Sequence, residues 1–141
     1  MPSEIPRQLA AVLDQNDCDL ATLVTRVSAE EAQKPQVVKA VVSWRNRGFG
    51  EALYFSRTSI PTGTGDKYHH IGVYGWHRAA LSQFVTLPPS SLELAEKLEQ
   101  LRALEAGMRI AVAEIDGAPS GVDTIEDLQA VRQRLSAVCP D

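Results

Sequence analysis

Residues 37–57 read VVKAVVSWRNRGFGEALYFSR, and this stretch decides the fold. Two runs rich in β-branched and aromatic residues, Val37–Trp44 and Glu51–Arg57, have strand character. Between them RNRGFG, with two glycines, reads as a hairpin loop. Outward from this hairpin, strands and helices alternate. LATLVTRV at 20–27, HHIGVYGW at 69–76 and IAVAEI at 110–115 are predicted strands. In the second, Ile71, Val73 and Gly75 point one way, and His70, Gly72, Tyr74 and Trp76 the other. A first helix is predicted over 3–14, capped by Ser3, with Ile5, Leu9, Val12 and Leu13 on one face. Ser28 stands three residues before Glu31, the spacing of a capping box. A short helix follows over 78–86. Ser90 and Glu93 form a second capping box that opens one long helix to Gly107, with Leu94, Leu98, Leu101 and Glu105 as its buried stripe. A last helix starts at Asp123 or Thr124, with Ile125, Leu128, Val131 and Leu135 on one face. The expected fold class is α/β: a mixed sheet with a β-hairpin, covered by helices, in a single domain over 1–141.

Composition narrows the function. The 141 residues carry 14 Lys and Arg against 18 Asp and Glu, so the net charge is 14 − 18 = −4. An acidic chain is a poor general nucleic-acid binder. No apolar run is long enough to cross a membrane, and MPSEIPRQL has neither the basic start nor the apolar core of a signal peptide. Cys18 and Cys139 lie too far apart for a metal knuckle or a disulfide framework. These features predict a soluble, cytoplasmic protein. All eight aromatics fall between Trp44 and Phe84, and so do His69, His70 and His77. Such a window suits either ligand recognition or an aromatic core on strands. Gly63–Lys67, GTGDK, lacks the spacing of a phosphate-binding loop.

Four motifs in order carry a resemblance. Ala52–Arg57 (ALYFSR) is followed by Ile60–Pro61. His70–Trp76 (HIGVYGW) comes next, then Pro89–Gly107 (PSSLELAEKLEQLRALEAG), then Val122–Leu128 (VDTIEDL). Together with ATL at 21–23 and PQVVK at 35–39, they resemble the C-terminal half of the 3-deoxy-manno-octulosonate cytidylyltransferases, the CMP-Kdo synthetases of lipopolysaccharide biosynthesis. The resemblance implies part of a Rossmann-like nucleotide-diphospho-sugar transferase fold. It implies a nucleotidyltransferase in which the anomeric hydroxyl of Kdo attacks the α-phosphate of CTP and pyrophosphate leaves. It also implies magnesium as cofactor, Kdo and CTP as substrates, and a homodimer.

The same resemblance assigns residues. Asp123 matches the family's metal-binding, catalytic aspartate; an Asp before Thr-Ile-Glu is also a good helix cap. Arg57 matches an arginine that faces the acidic sugar, and guanidinium pairs bidentately with a carboxylate. On a bare reading it is a surface arginine at a strand end. His70 and Tyr74 match a face looking into the sugar pocket, and are otherwise core aromatics with satisfied polar tips. Glu99 and Gln100 match residues that contact sugar hydroxyls, and are otherwise a solvated helix face. Arg102 reads as structural. Trp76 stands where the family has Tyr or Phe, and the loop at 45–50 is longer than the family's turn. The family's triphosphate loop, cytosine pocket and second metal-binding aspartate have no counterpart here. The chain alone is therefore expected not to make CMP-Kdo. The alternatives are a related acid-sugar nucleotidyltransferase and a non-catalytic binding or oligomerisation module.

Overall fold

A computed structural model describes residues 4–15 and 17–117, together with positions 125, 126, 128, 129, 132 and 133. The elements run α1 (Glu4–Gln15), β1 (Leu20–Val27), α2 (Ala29–Ala32), β2 (Lys39–Asn46), β3 (Phe49–Ser56), β4 (Lys67–Trp76), α3 (Arg78–Phe84), α4 (Ser91–Glu96), α5 (Gln100–Glu105) and β5 (Ile110–Glu114).

The hairpin forms as β2 and β3, paired antiparallel from Lys39↔Ser56 to Asn46↔Phe49. Its connection is tighter than the predicted loop, because Gly48 takes φ +80° and lets both strands run to the turn. Gly50 serves differently. A Cβ there would sit 2.6 Å from the Ser43 carbonyl oxygen, so only glycine admits this approach of the two strands.

The sheet is mixed, as expected. β1 pairs antiparallel with β4 and parallel with β5. β5 pairs antiparallel with β3. β2 pairs with β4 at only two positions, Lys39↔His69 and Ala40↔Tyr68, and this short join closes the five strands into a ring in the order β1-β4-β2-β3-β5. The closure has no signature in local sequence, since it depends on which edges meet.

Two cores follow from strand alternation. Ile5, Leu9 and Val12 of α1 pack on Ala21, Leu23, Ile71, Ala111 and Ala113. The other core gathers Leu20, Val24, Phe55, Leu98, Leu101, Ile110 and Val112. The expected division of β4 holds, with Ile71 and Val73 in the first core and Tyr74 and Trp76 against the second.

The predicted long helix over 90–107 is instead two helices. Lys97, at φ 57°, ends α4, and α5 begins at Gln100. Leu98 and Leu101 are buried as expected, but Leu94 is 65% exposed. Leucine spacing fits an unbroken helix equally well; side-chain ties across the break decide against it. The Arg102 guanidinium returns to Glu93, with Nε 2.7 Å from Oε2 and a second bond from Nη2 to Oε1. Glu105 accepts from the Ser91 hydroxyl at 2.8 Å and the Leu92 N–H at 3.0 Å. In a straight helix residues 93 and 102 would stand about 13 Å apart along the axis. The capping interaction of Glu93 is present, its carboxylate taking the Ser90 N–H at 3.0 Å. Ile125 and Leu128, predicted on a buried face, are exposed. Ser3, Asp123, Thr124, Val131, Leu135 and Cys139 lie outside the described residues.

Candidate functional site

The bulge between β1 and β4 shapes the site. Leu23 pairs with Ile71, but Thr22 pairs with Tyr74, so Gly72 and Val73 are extra residues on β4. In a regular strand residues 70 and 74 would be about 13 Å apart. The bulge folds this distance up, and the ring centroids of His70 and Tyr74 lie 5.5 Å apart. Phe55 meets His70 edge to face at 4.8 Å from across the ring of strands.

Both nitrogens of the buried His70 have partners. Thr22 Oγ1 lies 2.8 Å from Nε2 and also donates toward the carbonyl oxygens of Val73 at 2.9 Å and Ile71 at 3.2 Å. A hydroxyl has one hydrogen, and these carbonyls take it, so Nε2–H donates to Thr22. Nδ1 is then bare and accepts the Gln100 amide N–H at 3.4 Å. Burial, then the neighbouring His69, holds the His70 pKa down to about 3, so the ring is neutral. Neither ring nitrogen is left for a ligand hydroxyl in this arrangement. Tyr74 is protonated as well: burial raises its pKa, and the Glu99 carboxylate adds to the rise. Glu99 is exposed, whereas Gln100 is buried against His70.

Arg57 follows β3, two residues beyond Phe55, and its side chain is exposed. Its Nη1 donates to the Pro35 carbonyl at 3.3 Å. Its own N–H points to Glu96 Oε2 at 3.4 Å. The same carboxylate accepts from the Tyr54 hydroxyl at 3.1 Å and the Ser56 hydroxyl at 2.9 Å. On the other side, the fully buried Lys39 ammonium donates to the carbonyl oxygens of Lys34, Val37 and Arg57.

The structure therefore gathers His70, Tyr74, Glu99 and Gln100 into one cluster, with Arg57 just after β3, the strand whose Phe55 meets His70 across the ring. Asp123 lies outside the described residues. Among the described residues, no three His, Cys, Asp or Glu side chains converge as a metal site. Arg102 is a tie, as read: besides Glu93 it reaches the Leu87 carbonyl and stacks on Phe84 at 5.0 Å.

A family model described as cytidylyltransferase matches residues 1–110. The chain belongs to the cytidylyltransferase family.

This cytidylyltransferase chain is 52% identical over 138 residues to the 3-deoxy-manno-octulosonate cytidylyltransferase of Rhodopseudomonas palustris (strain CGA009), covering 95% of this chain and 56% of that relative. It is 54% identical over 119 residues to the enzyme of the same name from Parvibaculum lavamentivorans, covering 84% of this chain and 46% of the relative. The chain thus spans about half the length of the curated relatives it matches. A solved structure of CMP:2-keto-3-deoxy-manno-octonic acid synthetase, complexed with CTP, superposes with a TM-score of 0.82 at 37% identity, over 95% of this chain and 57% of that one. The chain therefore forms part of a nucleotide-diphospho-sugar transferase fold, as expected from the motifs.

Three residues that hold His70 or Arg57 were not legible as site residues: Thr22, Lys39 and Glu96. Lys39 carried the clearest signal, a charge inside the apolar run VVKAVV, which must find partners if the strand is buried. Glu96 is one of several acidic residues in its helix, and only the fold distinguishes it.

Proposed function

We propose that this chain is the sugar-acid side of a CMP-Kdo synthetase, which joins the anomeric hydroxyl of Kdo to the α-phosphate of CTP and releases pyrophosphate. The observation that carries the proposal is the 52% identity, across 95% of the chain, with the relative of that activity. In this reading the Arg57 guanidinium pairs with the sugar carboxylate. The protonated Tyr74 phenol donates to a sugar hydroxyl, and the exposed Glu99 carboxylate accepts from others. His70 is neutral and fully hydrogen-bonded, so its part is to hold Gln100 and Tyr74 in place. Holding the sugar this way contributes through positioning rather than covalent chemistry. Asp123, a hard oxygen donor, would hold magnesium. A bound magnesium ion supplies neutralising charge at the phosphates.

A homodimer in the cytoplasm completes the proposal. Among the described residues no helix is long and apolar enough to cross a membrane. Trp44, Tyr54, Tyr74, Trp76 and Phe84 pack against the core, so the exposed apolar surface is aliphatic and includes Leu53, Val85 and Leu94. Light scattering of the purified protein tests the dimer; a mass of one chain at all concentrations overturns it.

Calorimetric titration with Kdo tests the central reading. Kdo is expected to bind, and Arg57→Ala to weaken binding about tenfold or more, the worth of a charge-assisted pair. Joining the chain to the part of the Rhodopseudomonas relative that it does not match is expected to give pyrophosphate release from CTP and Kdo. Kdo binding no tighter than a neutral hexose, with no release by the joined protein, overturns the proposal.

A further inference from the structure

Lys39 is fully buried, yet its ammonium donates to main-chain carbonyls rather than to a carboxylate. A buried ammonium is costly, and a methionine would fill similar space without the charge. The three N–H groups of Lys39 are all used, on the carbonyls of Lys34, Val37 and Arg57. Two of these belong to the loop before β2, and the third follows β3. Lys39 therefore ties that loop to the residue after YFS. The loop is also where the Arg57 side chain rests, since Nη1 donates to the carbonyl of Pro35, between the two tied positions.

Glu96 holds the opposite side of the same residue. It accepts the Arg57 N–H while also taking the hydroxyls of Tyr54 and Ser56, so its carboxylate is fixed by three donors from one strand end. The Arg57 N–H is thus held by an anion, its C=O by a cation, and its guanidinium rests on a loop that the same cation anchors. The Lys39 charge opposes that of Arg57, which would by itself drive the guanidinium away; the hydrogen bonds keep both cations at one spot. Two cations held together make a stronger well for an anion than either alone.

We infer that Lys39 and Glu96 are positioning residues that clamp the Arg57 main chain from both sides and so aim its guanidinium at an anionic sugar. The identity of that ligand rests on the proposal above; the clamp does not.

The test uses the 141-residue chain and three variants, Glu96→Ala, Lys39→Met and Arg57→Ala. Amide exchange of Arg57 by NMR is expected to speed up about tenfold in Glu96→Ala, the value of one hydrogen bond to a charge, while Val24 in β1 stays protected. The Arg57 Nε resonance is expected to move in both Glu96→Ala and Lys39→Met. Kdo affinity is expected to fall about tenfold in Glu96→Ala and, in an Arg57→Ala background, to fall no further when Glu96→Ala is added. A merely structural carboxylate would give independent, multiplying losses. Unchanged Arg57 exchange and Nε signals in Glu96→Ala overturn the clamp, as do multiplying losses. If Lys39→Met does not fold, Glu96→Ala decides. If wild-type chain binds no Kdo, the ligand reading fails and the clamp is judged on the Arg57 exchange and Nε signals alone.

Discussion

The rings of His70 and Tyr74 stand 5.5 Å apart although they occupy positions i and i+4 of one strand. The two extra residues of β4 at the bulge make this possible, and they preserve the alternation that keeps both rings on one face. The bulge also turns the carbonyls of Ile71 and Val73 toward the Thr22 hydroxyl, which sets the tautomer of His70. One irregularity thus builds the cluster and orders its hydrogens.

Stability should fall as pH is lowered because of His70. Its folded pKa is depressed to about 3 from an ordinary value of 6.5. The unfolded chain therefore takes up a proton first. The stabilisation is complete above pH 6.5 and is lost as pH falls toward about 3, by at most about 1.4 kcal/mol per pH unit for one proton. Urea midpoints measured across this range should show the slope, and His70→Gln should flatten it. A His70 ring that titrates near 6.5 by NMR would contradict the burial argument.

Thr22→Val should cost about 1–3 kcal/mol, because the His70 Nε2–H is left buried without an acceptor. Thr22→Ser keeps the oxygen and should cost less. Chemical denaturation of the two variants tests the difference; a Thr22→Val that costs nothing would mean that the hydroxyl does not matter, and a Thr22→Ser that costs as much as Thr22→Val would mean that the methyl group matters as much as the hydroxyl.

The Glu93–Arg102 pair should protect the α4–α5 junction against acid. Hydrogen bonding to Arg102, then to the Ser90 backbone, lowers the Glu93 pKa to about 2 from 4.5. The contribution is present above 4.5 and disappears as pH falls through about 2. Arg102→Met should raise the Glu93 pKa and loosen the junction, seen as faster amide exchange at Leu94 and Leu98. Unaltered exchange would show that the leucines alone hold the two helices.

Gly50→Ala should destabilise the hairpin by about 1–3 kcal/mol, since the new methyl meets the Ser43 backbone oxygen and the Val42 side chain. Gly72→Ala should stay within about 0.5 kcal/mol, because no atom lies within 4 Å of the added carbon. Thermal melts of the pair test both, and a harmless Gly50→Ala would mean that β2 and β3 separate more easily than their register implies.

Sequence by itself determined the elements whose cause is local. β-Branched and aromatic residues in VVKAVVSW and EALYFSR, two glycines between them, and the Ile5-Leu9-Val12 spacing act over a few residues, and each element formed near its predicted place. Of the residues in the motifs ALYFSR, HIGVYGW and LEQLR, His70, Tyr74, Glu99 and Gln100 come together in one cluster, and Arg57 follows β3. Tertiary structure alone decided the rest. The break at Lys97 is settled by Arg102 reaching back to Glu93, because leucine spacing suits one helix or two. The closure of the strands depends on two pairs between β2 and β4, and strand propensity carries no information about which edges meet. The roles of Thr22, Lys39 and Glu96 come from partners 48, 18 and 40 positions away, at His70, Arg57 and Ser56. A hydroxyl, an ammonium and a carboxylate are read as chemistry in the sequence, but what they hold is set by the fold that brings distant backbone and side-chain groups to them.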